Sequence, residues 1–210
     1  MDLSVTGDKG KVVVMLRDQE AQHAVSVLRR AGGSLPHATM MVGNPPALRH
    51  APRSIWPWLT LPASLTAALQ RAYGKPHTVR ALLLDSGRAN PSPIERSILC
   101  MRRGERIFWR EVLLHGGDPA YPALWARTTI PLRGLRHGLL PLTRHGTRPI
   151  GNTLFRHRRL RRSPIQAESR PRFGQRRWQR RSVLRRSSAS VLVEEHFLPD
   201  LPRWAGRGRR

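Results

Sequence analysis

The amino-acid sequence predicts an α+β fold built around an antiparallel sheet. Three observations carry that prediction. Segments with apolar residues at a two-residue period dominate, they follow one another in hairpin order, and three- and four-residue spacing is confined to a few short stretches. At 210 residues the expectation is one domain with an appendage. A domain of about 150 residues buries roughly 68–70% of its unfolded surface, enough for a core without staples.

The first 52 residues stand apart. "KVVVML" (11–16) reads as a strand, and Asp18 is placed to cap a helix through "QEAQHAVSVLRR" that Gly32-Gly33 closes. "VGNPPALRHAPR" then reads as a linker of turn residues. Residues 1–52 are thus an extension, either strand–helix or poorly ordered, and carry no recognisable chemistry. The domain is expected over 53–204, opening near "SIWPWLTLP", with a basic tail at 205–210.

Within the domain, "SLTAALQRAYG" predicts a helix: Leu65, Leu69 and Ala72 share a face and Gly74 stops it. "HTVRALLLDSGR" predicts a strand. "GERIFWREVLLHGGDPAYPALWARTTIP" is the clearest hairpin, two apolar strands around a Gly-Gly-Asp-Pro turn, the second ended by Pro131. "LRGLRHGLLPLTRHG" has Leu132, Leu135, Leu139 and Leu142 at helical spacing, broken by Pro141. "RPIGNTLF" reads as a loop and a short turn. "RLRRSPIQAES", "QRRWQRRSVLRRS" and "SVLVEEHFLP" predict three more strands, the last two joined by "SSAS".

Charge is the strongest compositional signal. There are 38 Lys and Arg against 13 Asp and Glu, a formal net charge of +25, and only Lys9, Lys11 and Lys75 are lysines. An Arg skew beside abundant Ala, Gly and Pro is what codon bias in a GC-rich genome yields. A field that draws in an anionic substrate and a nucleic-acid surface are the two other readings, in that order of weight. The start of the chain has acids and a five-residue apolar run, unlike a signal peptide, and no stretch approaches the roughly 18–20 apolar residues of a membrane span. A cytoplasmic protein is expected, and lone Cys100, read as an inert packing residue, suits a reducing compartment. The nine His show no close helical pairs and no Cys partners, so a zinc site is not expected.

Two side chains break the apolar alternation in a chemically suggestive way. On "RIFWREVLL", Phe108, Arg110, Val112 and Leu114 face one way, and Ile107, Trp109, Glu111 and Leu113 the other. Arg110 is then a guanidinium on an apolar face. Such a group is either half of a structural ion pair or an anchor for a ligand carboxylate, which its planar donor fork fits. On "SVLVEEHFLP", Val191, Val193, Glu195 and Phe197 share one face, while Glu194 sits with His196 on the other. Desolvation of Glu195 raises its pKa and makes it a candidate acid or base, a shift that a nearby Arg opposes. Glu194 reads as a solvated or ion-paired edge.

In this order and at this spacing, "FWREVLL", "WARTTIP", "RPIGNTLF" and "EEHFLP" resemble chorismate pyruvate-lyase, and "SLTAALQRAYG" resembles the N-terminal helix of that family. The resemblance covers residues 54–204. It implies a chorismate lyase-like antiparallel six-stranded sheet with short helices packed on it and an enclosed ligand site. It implies cleavage of chorismate to 4-hydroxybenzoate and pyruvate, the first committed step of ubiquinone synthesis, with no metal or organic cofactor; a monomer is expected. Carried onto this chain, Arg110 binds the ring carboxylate and Glu195 meets the ring hydroxyl. Leu65 and Ile150 are apolar ligand contacts, and Arg127 is a second arginine near the substrate. Arg110 and Glu195 should then face one cavity, with room for a small aromatic acid between them.

Two rivals frame that expectation. One is a non-catalytic ligand-binding module of the same fold, known from sensor domains of transcription regulators; residues 1–52 are too short for a convincing DNA-binding head. The other is a nucleic-acid-binding protein that uses the Arg-dense strands of 156–186, with Trp178 as a stacking residue. Those strands otherwise read as edges guarded by charge.

Overall fold

The computed structural model describes residues 50–144, 146–155, 160–172, 175–186 and 188–206. The strand and helix expected in 11–33, most of the linker and residues 207–210 of the basic tail lie outside the described residues.

Two helices open the domain, α1 (Trp56–Thr60) and α2 (Leu65–Tyr73). The Ser64 hydroxyl caps α2 by accepting from Ala67 N at 3.3 Å, and Gly74, at φ 68°, ends it. Leu65 and Leu69 are buried on the inner face of α2, as its spacing predicts; Ala72 is only partly buried there and Ala68 is buried beside them. Strand β1 (Arg80–Ala89) leads to α3 (Pro93–Ile98), a helix the apolar pattern does not announce. A capping box starts it: Glu95 N donates to Ser92 Oγ, and Ser92 N donates to Glu95 Oε2 at 2.9 Å. The expected hairpin follows as β2 (Ile107–His115) and β3 (Leu124–Pro131). Past Pro131 the chain winds through α4 (Leu132–Gly134), a π turn (Leu135–Leu139) and a 3-10 turn (Leu140–Arg144). "RPIGNTLF" is more regular than its sequence predicts and forms α5 (Ile150–Phe155).

The C-terminal half supplies β4 (Arg161–Arg162), β5 (Gln166–Arg172), β6 (Gln175–Arg186) and β7 (Ala189–Phe197). All seven strands join one antiparallel sheet of order β1-β2-β3-β7-β6-β4, with β5 also on β6. The expected six strands become seven because "RLRRSPIQAES" is two strands. Pro164, with no N–H to give the ladder, lies between them. The long β6 accommodates both, pairing Arg162 with Leu184 and Gln166 with Arg181. It is therefore no edge. It lies between β7 on one side and β4 and β5 on the other, and Arg180 and Arg181 are buried in it.

All the helices but α3, which packs on the other face through Glu95 and Ile98, cover one face of the sheet with two apolar clusters. In the first, α1 and α2 pack on Val112, Leu114, Ala126 and Phe197, and Trp204 meets Trp58 edge to face at 4.8 Å. In the second, the helical run after β3 and α5 pack on Phe108, Ile130, Leu184 and Val191. Trp178 belongs to the first cluster at 6% exposure, so it is not a surface residue on which a base could stack. Among the described residues no helix is long and apolar enough to cross a membrane. Cys100 is exposed, at φ 50°, rather than packed.

Candidate active site

A cavity lies at the seam between the two clusters. It encloses about 490 Å³, counting its mouth to solvent. Val112, Ala126, Thr128 and Val193 form its floor on β2, β3 and β7; Leu65 of α2 and Ile150 of α5 reach in from the helical layer. Arg110 and Glu195 both open onto it. The two helices converge closely there because of Gly151. A Cβ at that position would lie 2.6 Å from Thr66 Oγ1 and 3.1 Å from Ser64 Oγ, inside van der Waals contact.

Register explains why Arg110 and Glu195 face each other across a gap. Arg110 pairs with Thr128, which pairs with Val193; Glu195 pairs with Ala126, which pairs with Val112. The two residues are thus two strands apart and two residues out of register on one face. Strand spacing of about 4.8 Å and a rise of about 3.4 Å per residue put their Cα atoms roughly 12 Å apart. They form no ion pair with each other. Each is held by other groups.

Arg110 is 3% exposed. Its Nη2 donates to the carbonyls of Gly146 and Arg148, which ties β2 to the loop before α5. No described residue accepts from its Nε or Nη1. Burial lowers its pKa to about 10, so it stays a cation at neutral pH. A cation with donors left over, on an apolar floor, is a ready carboxylate anchor.

Glu195 has a partner that the sequence reading missed. Arg180 Nε donates to Glu195 Oε2 at 2.7 Å, and Arg180 Nη1 donates to Trp58 O at 2.7 Å and Leu61 O at 2.9 Å. One buried guanidinium thus fixes the carboxylate and ties the C-terminal end of α1 to the sheet. No described residue donates to Glu195 Oε1. The signal for Arg180 was present in the period-two pattern of β6, where Trp178, Arg180, Ser182 and Leu184 share a face. Arg162, the other cation lining the cavity, lies on a two-residue strand with no pattern to reveal it.

Arg127 does not line the cavity, and the expectation that it lies near the substrate is corrected. It pairs in register with Glu111 and Glu194 and points to the opposite face. There it bonds Glu111 at 2.6 Å and Glu95 at 3.3 Å and stacks over Trp109 at 4.8 Å. The row Asp85–Glu111–Arg127–Glu194–Arg181 runs across five strands of that face. Glu194 is no solvated edge. It is 2% exposed, and among the described residues its Oε1 has no hydrogen-bond partner. Burial first, then the Glu95 charge, push its pKa up to about 7 against the pull of Arg127 and Arg181. His196 packs edge to face on Trp125 at 4.6 Å beside it. Among the described residues no group of three or more His, Cys, Asp or Glu stands where it could hold a metal ion.

The sequence was compared with known proteins. The family model described as chorismate lyase matches residues 38–206. A protein named probable chorismate pyruvate-lyase from Azoarcus sp. (strain BH72) is 39% identical over 176 residues, 75% of this chain and 89% of that one. Another of that name from Chromohalobacter salexigens is 37% identical over 151 residues, covering 68% and 79%. The chorismate pyruvate-lyase of Pectobacterium atrosepticum is 31% identical over 159 residues, covering 76% and 84%.

Proposed function

We propose, from the premise that this chain belongs to the chorismate lyase family, that its cavity converts chorismate to 4-hydroxybenzoate and pyruvate. The observation that carries the reading is the placement of Arg110 and Glu195. They lie on one face, about 12 Å apart at Cα, and a cavity rather than a mutual ion pair separates them. A ring with a carboxylate at one end and a hydroxyl at the other spans that gap.

In this reading Arg110 binds the ring carboxylate through Nε and Nη1. Glu195 accepts the ring hydroxyl on Oε1 while Arg180 holds Oε2. Leu65 and Ile150 close over the ring. The ether C–O bond to the ring breaks with its electron pair going to oxygen, and the proton on the hydroxyl-bearing ring carbon leaves. The ring becomes aromatic, and the released enol takes up a proton at its methylene carbon to become pyruvate. Aromatisation makes the reaction downhill, so the protein need supply little beyond a fixed pose and a site shielded from water. The sparse set of polar groups at the cavity fits that demand.

The family resemblance supports the finer parts of the proposal. They are a role at the head of ubiquinone synthesis, a cytoplasmic monomer, and turnover without metal or organic cofactor. The test is to incubate the purified chain with chorismate and follow 4-hydroxybenzoate and pyruvate together. Equimolar formation of both, well above the uncatalysed rate, is expected. No product above that rate would leave a binding module as the reading.

A further inference from the structure

Chorismate carries two carboxylates, one on the ring and one on the enolpyruvyl arm, and Arg110 accounts for one. We propose that Arg162 is the anchor for the second, so that the cavity is built for a cyclic dicarboxylate held between two guanidinium groups. The proposal rests on the lyase reading and assigns a subsite within it.

The placement comes from the sheet. Arg162 lines the same cavity as Arg110 and Glu195. It enters from β4, four strands from β2 along the sheet, with the β7 strand of Glu195 between them. Its register partner Leu184 lines the cavity as well. The two guanidinium groups therefore enter from opposite sides of the sheet, and Arg162 is displaced along the strands from the Arg110 row in the direction opposite to Glu195. Arg162 also feels Glu195 directly: burial lowers its pKa to about 10, and the Glu195 charge is the largest influence opposing that fall.

The chemistry of the substrate fits this order. With the ring carboxylate on Arg110 and the hydroxyl on Glu195, the ether oxygen sits on the carbon next to the hydroxyl. The enolpyruvyl arm then lies beside Glu195, on the side from which Arg162 enters. The charge balance points the same way. Glu195 is the single carboxylate among the described lining residues, and Arg180 already engages it. Among the described lining residues two guanidinium groups, Arg110 and Arg162, stand against that one carboxylate, a lining that favours an anionic ligand. The monoanionic aromatic product leaves one guanidinium without its ligand carboxylate. Arg162 thus distinguishes substrate from product, whereas Arg110 binds both.

The test measures two ligands on three variants and the unchanged protein: the KM for chorismate, and the inhibition constant of 4-hydroxybenzoate against it. Arg162→Gln should raise the KM for chorismate about tenfold or more, as expected for a lost charge-assisted hydrogen bond. It should leave the 4-hydroxybenzoate constant within about twofold of the unchanged protein. Arg110→Ala should weaken both. Arg162→Lys, which keeps the charge without the planar fork, should recover part of the loss, and it serves in place of the glutamine variant if that fails to fold. Equal weakening of both ligands by the Arg162 variants, or no change in either, overturns the assignment while the unchanged protein still turns chorismate over. Absence of turnover in the unchanged protein overturns the lyase reading itself, and this subsite with it.

Discussion

Replacing Arg180 tests whether the site rests on the buried pair beneath it. Arg180 is 2% exposed and makes three charge-assisted contacts, to Glu195 Oε2, Trp58 O and Leu61 O. Arg180→Leu leaves the Glu195 carboxylate without its guanidinium on an apolar floor. Breaking a buried pair from one side costs about 3–5 kcal/mol. The two stranded carbonyls, of Trp58 in α1 and of Leu61 just past it, add about 1 kcal/mol or more each. The terms overlap, so a loss of about 5 kcal/mol is expected, a large part of the roughly 5–15 kcal/mol that holds a domain. Urea unfolding followed by tryptophan fluorescence reads it directly, since Trp58 and Trp178 both lie in the cluster beside the pair. The melting temperature should fall by about 10–20 °C. The sharper readout is the double variant Arg180→Leu with Glu195→Leu. It removes both charges and should be more stable than Arg180→Leu alone, because no uncompensated carboxylate remains. A double variant whose loss equals the sum of the two single losses would refute the reasoning.

Three further outcomes follow from the same geometry. Glu194 has a folded pKa raised to about 7, above its ordinary 4.5, so its contribution to stability is present below about pH 4.5 and is lost as pH rises toward 7. Glu194→Gln should therefore gain stability relative to the unchanged protein between pH 5 and pH 8, by up to about 3 kcal/mol; a melting-temperature difference that is the same at both pH values contradicts this. Gly151→Ala, which in an open helix gains about 0.5–1 kcal/mol, should instead lose about 1–3 kcal/mol, because its Cβ meets Thr66 and Ser64; a gain on thermal unfolding contradicts the close approach of α2 and α5. In steady-state assays with chorismate, Arg110→Ala should raise KM by about 100-fold, for two charge-assisted bonds, whereas Glu195→Gln should chiefly lower kcat; unchanged kinetics in both would reject these site residues.

Much of this site was legible in the sequence because strands report their faces. One period-two rule applied to β2 and β7 separated Arg110 from Glu111 and Glu195 from Glu194, and the sheet keeps those separations. The same rule applied to β3 puts Arg127 on the Glu111 side, since Ala126 and Thr128 flank it on the cavity face; motif likeness had drawn it toward the substrate. Arg180 was hidden by its neighbours. In a segment where half the residues are Arg, the one guanidinium caught between Trp178 and Leu184 looks like the rest. What alternation cannot give is strand order. β6 lies inside the sheet because β4 and β5 return to cover it, and nothing local in "QRRWQRRSVLRRS" states that. The burial of Glu194 follows from the same fact, since β7 has a neighbour on each side.

The central claim is that one small aromatic acid lies between Arg110 and Glu195. A crystal structure of the chain soaked with 4-hydroxybenzoate tests it most directly. The expected map shows the ligand carboxylate on Arg110 Nε and Nη1 and the phenolic oxygen within hydrogen-bond distance of Glu195 Oε1. A ligand bound elsewhere, or a cavity that stays empty at saturating ligand, would contradict it.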